Sequence, residues 1–502
     1  MNDSLNAGKE KRRSASLTTA LLLTGGLFLL SGMAGCGNSS NTMSVSGGPQ
    51  AITFCPSGCT YSNSNNNSNN PYGQLTSIDG VYIDGQNNVW IPDSPSGGGV
   101  QLLEIPAGNP GGAISICPNN CTIIGTTYLS GYSPVAYAAD PNSGTFWILE
   151  ETSNGGTSYD ILKIPAGLTS FSQVIQYPLN TSFSTSGVAM AVDIQDNIWI
   201  AYGGQPYEIP KGNLSTSSTS VSTSPTYTSL ATVLGSTITA TGIAVDETHQ
   251  LVWIAGTGGC SGNCNSTGNP SVLAQYTIGT ATPAHVFCNF TNTGCVSTNY
   301  SKLDIYTSLN GPPYQSGGRA TGPANTNSIV LDSSGNLWVS LSANTGVMEV
   351  PYGNVSSPVF CINGCNDGGT FGGGTPAGIA IDHQNRAWVA GTFGNSNSSN
   401  SGGFNTTIAS PSPGGGASAF SGTSAQVQSY ASYCDFSVIN TNLMGCSAFN
   451  SFMFPTSIAV DSNGNVWIAN NGFNSAALSN SNSGSSSNST NGWVTELVGA
   501  AK

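Results

Sequence analysis

The chain predicts an all-β fold, a seven-bladed β-propeller of four-stranded blades, and three observations carry that expectation. A phrase made of an alternating strand, a turn opened by Asp and a second strand bearing Trp returns seven times, most plainly as SIAVDSNGNVWIAN at 457–470. Most copies are followed by a third strand that ends at proline, such as LLEIP at 102–106. Charged residues make up 7% of the chain while Gly, Ser, Asn and Thr abound, which suits short strands joined by polar loops and disfavours helical bundles. Repeated units share one closed architecture, so the 502 residues are read as one large folded region, 50–502, and not as two or three domains.

The first 49 residues read as address and tether. Lys9, Lys11, Arg12 and Arg13 form a basic start, 17–30 is an apolar run, and Met33, Ala34 and Gly35 lead into Cys36. The run is shorter than the roughly 20 residues a membrane span needs. This segment resembles the signal peptide of bacterial lipoproteins, with Met33 in place of the usual Leu. The resemblance implies removal of residues 1–35, acylation at Cys36 and stable anchoring by several acyl chains. Gly37, where an Asp would signal inner-membrane retention, implies an outer-membrane lipoprotein facing the periplasm or the cell surface. Residues 36–49 are expected to be a lipidated polar tether.

Residues 51–55 read as an outer strand, a pattern that recurs at 113–117, 285–288 and 358–361, each time after a third strand. The repeat cores lie at about 80–91, 136–149, 189–201, 242–255, 328–340, 378–390 and 457–469. In them Asp84, Asp140, Asp193, Asp246, Asp332, Asp382 and Asp461 each precede a tryptophan by six or seven residues. Those tryptophans are Trp90, Trp147, Trp199, Trp253, Trp338, Trp388 and Trp467, seven of the eight in the chain. Third strands are expected at 102–106, 161–165, 207–210, 347–351 and, in the last repeat, 493–498. The last repeat lacks a fourth strand, and 51–55 is expected to supply it, closing the ring and removing open strand edges. Successive aspartates are 56, 53, 53, 86, 50 and 79 residues apart. The long intervals hold an insertion at 289–325 and polar loops at 395–422, and a Ser/Asn tract covers 479–491, all too polar to bury a core.

Twelve cysteines besides Cys36 fall into six close pairs: Cys55/Cys59, Cys117/Cys121, Cys260/Cys264, Cys288/Cys295, Cys361/Cys365 and Cys434/Cys446. Even count, local pairing and an exported chain argue for disulfides that staple loops. Zinc would require two pairs to converge or histidines to join them, and no histidine lies within a few residues of a CxxxC pair. Four of the ten basic and two of the twenty-three acidic residues lie in the leader, leaving six basic against twenty-one acidic. So few cations cannot neutralise phosphates, which excludes nucleic acid and anionic membrane surfaces as partners.

The phrase GIAVD or SIAVD, a turn containing Gly-Asn, and then VWIA is similar to the NHL-type repeat and to virginiamycin B lyase-like propellers, over roughly residues 50–500. The resemblance implies the propeller fold. For function it leaves ligand-binding scaffolds, interaction modules, lactonases and lyases open. The lyase-like relatives use a histidine with acidic residues and a metal at the channel mouth; His249 and His383 lie in first turns and His285 in an outer strand, none where the resemblance implies that residue. The seven aspartates are read as turn formers accepting backbone N–H bonds in preference to a cation-binding ring. The tryptophans are read as packing between neighbouring sheets in preference to a sugar platform. No GxSxG, HExxH or phosphate loop with Lys is present. The expectation is a monomeric, non-enzymatic binding or interaction scaffold for a glycan, peptide or protein, with no catalytic residue and no cofactor. Its alternative is a metal-dependent lyase or lactonase-type enzyme with a site at the channel mouth, whose divalent-metal ligands the sequence does not name. In both cases function belongs where the repeats disagree.

Overall fold

The computed structural model describes residues 41–44, 50–54, 78–93, 101–108, 114–115, 132–152, 158–168, 173–179, 188–202, 205–214, 228–229, 238–258, 271–279, 283–288, 326–341, 346–353, 359–360, 375–385, 387–392, 405–409, 427–430, 455–470 and 493–499. The chain divides into Met1–Cys36 and Gly37–Lys502, and every described residue belongs to the second unit. The expected signal peptide 1–35, the insertion 289–325 and the Ser/Asn tract 479–491 lie outside the described residues. Among the described residues the only helical element is a 3-10 turn at Lys211–Asn213. The rest is strand and turn, arranged in seven antiparallel sheets numbered here in chain order.

Sheet one comprises Tyr82–Ile83, Val89–Asp93, Gln101–Ile105 and Ile114–Ser115. Sheet two comprises Tyr132–Ala139, Thr145–Thr152, Ser158–Pro165 and Ile175–Leu179. Sheet three follows with Val188–Val192, Ile198–Tyr202, Gln205–Ile209 and Thr228–Ser229, and sheet four with Ile238–Asp246, Leu251–Gly258, Ser271–Thr277 and Pro283–Cys288. Sheet five holds Thr326–Leu331, Leu337–Leu341, Gly346–Val350 and Val359–Phe360; sheet six holds Thr375–Ile381, Ala387–Thr392, Asn405–Ala409 and Val427–Tyr430. Sheet seven combines Pro455–Val460, Val466–Asn470 and Trp493–Val498 with two strands from the other end of the chain, Gln50–Phe54 and Asn41–Ser44. Gln50–Phe54 runs antiparallel to Trp493–Val498, with Gln50 opposite Val498 and Phe54 opposite Val494.

Two sequence expectations are corrected. Asn41–Ser44 falls inside the expected tether but pairs with Gln50–Phe54, Thr42 opposite Ile52 and Met43 opposite Ala51. A strand that has joined a sheet offers its second edge to the next extended segment, and that edge recruits these residues. Asn405–Ala409 falls inside the expected loop 395–422 but forms the third strand of sheet six, with Thr407 opposite Val389. The β-favouring run Thr406, Thr407, Ile408 outweighs the polarity around it.

The first strands of the sheets contact one another in chain order, two with three through to six with seven, and the first strand of sheet seven contacts that of sheet one, which contacts that of sheet two. The succession therefore returns to its start. Strand alternation sends one face of each sheet to each neighbour. Trp90 packs with Phe146 and Ile148 of sheet two, Trp199 with Val252 and Ile254 of sheet four, Trp388 with Ile458 and Ile468 of sheet seven, and Trp467 with Val89 and Ile91 of sheet one. Trp90 is stacked on Phe146 at 5.2 Å between centroids. Burying ~200 Å² of indole at ~25 cal/mol per Å² gives about 5 kcal/mol for each such residue before entropy is counted.

Candidate functional site

The turn between first and second strands is built the same way in most sheets. Asp84 Oδ1 accepts the backbone N–H of Gln86 and of Asn88, both at 2.9 Å, while Oδ2 accepts Asn88 Nδ2 at 2.9 Å and Trp90 Nε1 at 2.8 Å. The same four bonds recur at Asp193, Asp332 and Asp461. At Asp382, Gln384 N and Trp388 Nε1 donate in the same way. The aspartates thus close a turn and also hold the indole that packs on the next sheet. The turn needs a left-handed residue three positions after the Asp, supplied by Asn87, Asp196 and Asn385 or by Gly335 and Gly464.

The sequence marks Asn465 only as closing the last turn with Gly464, and gives no role to the asparagine four residues after the aspartate. Its Nδ2 donates to the Asp, and its Oδ1 accepts a backbone N–H just after the third strand: Ala107 from Asn88, Lys211 from Asn197, Tyr352 from Asn336 and Gly499 from Asn465, at 2.8 to 3.0 Å. Where the Asp-to-Trp spacing is seven, a backbone carbonyl takes over that role: Gly144 O accepts from Ala166 N, and Gln250 O from Ile278 N. The spacing itself carried this signal, since the extra residue appears only where the Asn is missing from that position.

The third strand places an acid directly opposite the tryptophan in four sheets: Glu104 opposite Trp90, Glu208 opposite Trp199, Glu349 opposite Trp338 and Glu496 opposite Trp467. Burial, with the repeat's own aspartate adding to it, pushes Glu349 and Glu496 up to about 7. Glu208 is raised for the same two reasons. Burial also raises Glu104, against the opposing Gly167 N–H that reaches it from sheet two.

Neighbouring turns are tied to one another. Asn87 of sheet one bonds Ser462 of sheet seven in both directions, and Val81 N donates to Ser457 Oγ at 3.1 Å. Gly85 N donates to Asp140 O at 2.8 Å, and a Cβ at Gly85 would sit 2.3 Å from Pro141 O, so this junction requires glycine. Asn142 Nδ2 donates to Ile194 O and Asp196 Oδ1, and Asn385 Oδ1 accepts from Ser333.

Sheet four alone among the described turns pairs its aspartate with a histidine, and this makes the rim between sheets three, four and five the candidate site. Three residues after Asp246, His249 Nδ1 lies 2.6 Å from Asp246 Oδ2, the oxygen that takes an asparagine amide in four other turns, and His249 N donates to Oδ1. The imidazole lies against Tyr352 of sheet five, ring centroids 3.6 Å apart. On the other side Glu247 Oε1 accepts Ile194 N from sheet three. Burial, with Asp193 and Asp246 adding and that N–H opposing, pushes Glu247 up to about 7. Ile194 and Tyr352 are the large apolar side chains exposed among the described residues, at 62% and 47%, and they flank this one turn. Lys211 pairs with Asp196 beside Ile194.

Of the residues singled out by sequence, all seven aspartates and seven tryptophans lie buried or nearly so in the turn framework. His383 is exposed in the turn of sheet six, and His285 lies opposite Gln275 in the outer strand of sheet four. The lipidation candidate Cys36 lies outside the described residues. So do both members of five cysteine pairs: Cys55 and Cys59, Cys117 and Cys121, Cys260 and Cys264, Cys361 and Cys365, and Cys434 and Cys446. In the sixth pair Cys288 ends the outer strand of sheet four, while Cys295 lies outside the described residues. The disulfide reading of all six pairs therefore rests on the sequence. Among the described residues no group of three or more His, Cys, Asp or Glu is disposed to hold a metal.

These observations define an all-β chain of antiparallel meander sheets built on a repeated Asp–Trp turn. No protein-family model and no curated protein matches it. Among solved structures, YCF48 bound to D1 peptide aligns at 11% identity over 85% of this chain and 93% of its own, with a TM-score of 0.45. A catalytically inactive virginiamycin B lyase from Staphylococcus aureus with quinupristin aligns at 10% identity over 85% and 96%, with a TM-score of 0.44. PorZ, a bacterial surface component of the type-IX secretion system of Porphyromonas gingivalis, aligns at 13% identity over 84% and 48%, with a TM-score of 0.43. No ligand or residue role is carried over from them.

Proposed function

We propose that the chain is a seven-bladed β-propeller, anchored outside the cytoplasm through Cys36, that serves as an interaction scaffold for a protein or peptide partner. The reading of the architecture is supported by the cyclic succession of first-strand contacts and by the pairing of Gln50–Phe54 with Trp493–Val498. The six cysteine pairs are read as loop disulfides of an exported chain, supported by their even number and close spacing. One observation carries the reading of function: the large apolar side chains exposed among the described residues, Ile194 and Tyr352, flank the turn in which a histidine pairs with the repeat aspartate. In sheets one, three, five and seven an asparagine amide, four residues after the Asp, donates to the carboxyl oxygen that the His249 ring nitrogen approaches here. Exposed apolar side chains beside half-buried titratable ones are the composition of a recognition patch.

A photo-crosslinking residue placed at Tyr352, compared with one at His383 on the rim of sheet six, tests this in envelope extracts. Crosslinks to one protein from the first position and not the second are expected, and Ile194→Ser or Tyr352→Ala should weaken that partner's binding at least about tenfold. Equal crosslinking from both positions, or wild-type affinity in both variants, sinks the reading.

A further inference from the structure

The rim at sheet four carries a charge between its two apolar side chains, and all three residues stand where the repeats differ. The position after the repeat aspartate holds Gly85, Pro141, Ile194, Glu247, Ser333, His383 and Ser462 in turn. Sheet three thus puts a large apolar residue there and sheet four an acid, where the other sheets put neither. Tyr352 holds the position that is Ala107 in sheet one, Lys211 in sheet three and Gly499 in sheet seven, the residue whose N–H reaches the turn asparagine.

Contacts give the order of these residues along the rim. Ile194 N donates to Glu247 Oε1, His249 follows two positions later in the same turn, and the His249 ring lies against Tyr352. Ile194 and Tyr352 stay exposed in spite of these contacts. Neighbouring sheets pack about 10 Å apart, so turns on sheets three and five lie roughly 20 Å apart, the reach of about six extended residues. Of the acids in these turns, Asp193 is spent on the N–H groups of its own turn, Asp246 on His249, and Asp196 on Lys211 and Asn142. Glu247 is half-buried, and its Oε2 accepts no hydrogen bond among the described residues.

We propose, resting on the scaffold reading above, that this rim binds an extended cationic segment of a protein partner, in which a basic residue stands between two apolar ones. The basic side chain meets Glu247 Oε2, and the apolar side chains cover Ile194 and Tyr352. Two features select the charge. Burial, with Asp193 and Asp246 adding to it, pushes the Glu247 carboxyl up to about 7 against the Ile194 N–H, and a partner's cation offsets that repulsion. Outside the leader twenty-one acids face six bases, so the field around the chain draws a cationic segment in and repels an anionic one.

Fluorescence anisotropy with the full chain at pH 8, above the titration of Glu247, tests this with labelled synthetic peptides. The probe is Gly-Leu-Ser-Arg-Arg-Ser-Trp-Gly; one analogue has Glu-Glu for Arg-Arg, and a second has Ser for both Leu and Trp. The probe should bind at least about tenfold more tightly than either analogue, and NaCl should weaken it. Glu247→Gln keeps an oxygen for Ile194 N, and it should weaken probe binding at least about fivefold without lowering the melting temperature. Tyr352→Ala should weaken it at least about tenfold, and Glu247→Lys should turn the preference toward the acidic analogue. Equal binding of basic and acidic peptides, full affinity in Glu247→Gln, or no binding of the probe overturns the cationic partner. Crosslinking to one protein from Tyr352 and not His383, after the peptides fail, leaves the scaffold standing with a partner of other chemistry. Peptide failure together with equal crosslinking from both positions defeats both.

Discussion

A buried aspartate that collects four N–H groups is chemically more committed than a turn former. Asp461 receives Asn463 N and Asn465 N on Oδ1, and Asn465 Nδ2 and Trp467 Nε1 on Oδ2. Asp461→Asn keeps one acceptor oxygen but aims an NH2 group at two donors, leaving two buried N–H groups unpaired. Hydrogen bonds to a charged acceptor are worth about 1.5–3 kcal/mol each, so a loss of about 3 kcal/mol is expected, read as a lower urea midpoint at unchanged slope. Asn465→Ala should cost about 1–3 kcal/mol, because it removes the acceptor of Gly499 N, a bond that joins the turn to the end of the third strand. If the alanine variant melts with the wild type, the asparagine link is ornamental. The Asp and Trp positions were legible in the sequence because they repeat at fixed spacing. The asparagine was hidden because Asn is abundant throughout the chain, and its role is visible only once the third strand returns beside the turn. His249 was legible as a departure, but its pairing with Asp246 and its contact with Tyr352, 103 residues on, required the fold.

At the scale of strands, the sequence located what alternates and lost what does not. The first and second strands and the proline-ended third strands were found by their period and punctuation, whereas Asn41–Ser44 and Asn405–Ala409 are strands because a neighbour's edge was waiting for them. The glutamates opposite the tryptophans stood in plain view in EIP and EVP phrases, but register across two strands is a tertiary property. Gln50–Phe54 lies between Asn41–Ser44 and Trp493–Val498, and its residues Gln50 to Thr53 have partners on both sides. Ile52→Pro removes a donor and imposes a fixed φ there, and the melting temperature should fall by several degrees. Deleting 41–54 should leave Trp493–Val498 as an open edge and produce concentration-dependent association in light scattering. A deletion variant that stays monomeric and equally stable would show that sheet seven does not depend on the other end of the chain. Deleting 395–422 should also destabilise, since it takes the third strand of sheet six with it.

The whole molecule sums these local choices into an unusual dependence on pH. Glu349 and Glu496 titrate at about 7 and Glu150 at about 9 in the folded chain, against an ordinary value of 4.5. All three are raised, so the folded state holds more protons than the unfolded one between those limits. Stability must therefore be fully present below about pH 4.5 as far as these groups are concerned, decline as pH rises through 7, and decline further toward 9. The excess of twenty-one acids over six bases outside the leader pushes the same way, because self-repulsion grows as carboxyls ionise. The two contributions separate by salt: screening reaches exposed charges and leaves buried ones nearly untouched. The melting temperature should be higher at pH 5 than at pH 8, and NaCl at pH 8 should restore only part of the difference. Replacing Glu349 and Glu496 together by Gln should reduce the slope between pH 5 and 7, leaving the part that Glu150 and Glu247 contribute, and leave the salt response intact. A melting temperature that rises from pH 5 to 8 would mean that these carboxyls ionise freely, and that Glu349 and Glu496, opposite their tryptophans, reach solvent in a way the buried strands do not allow.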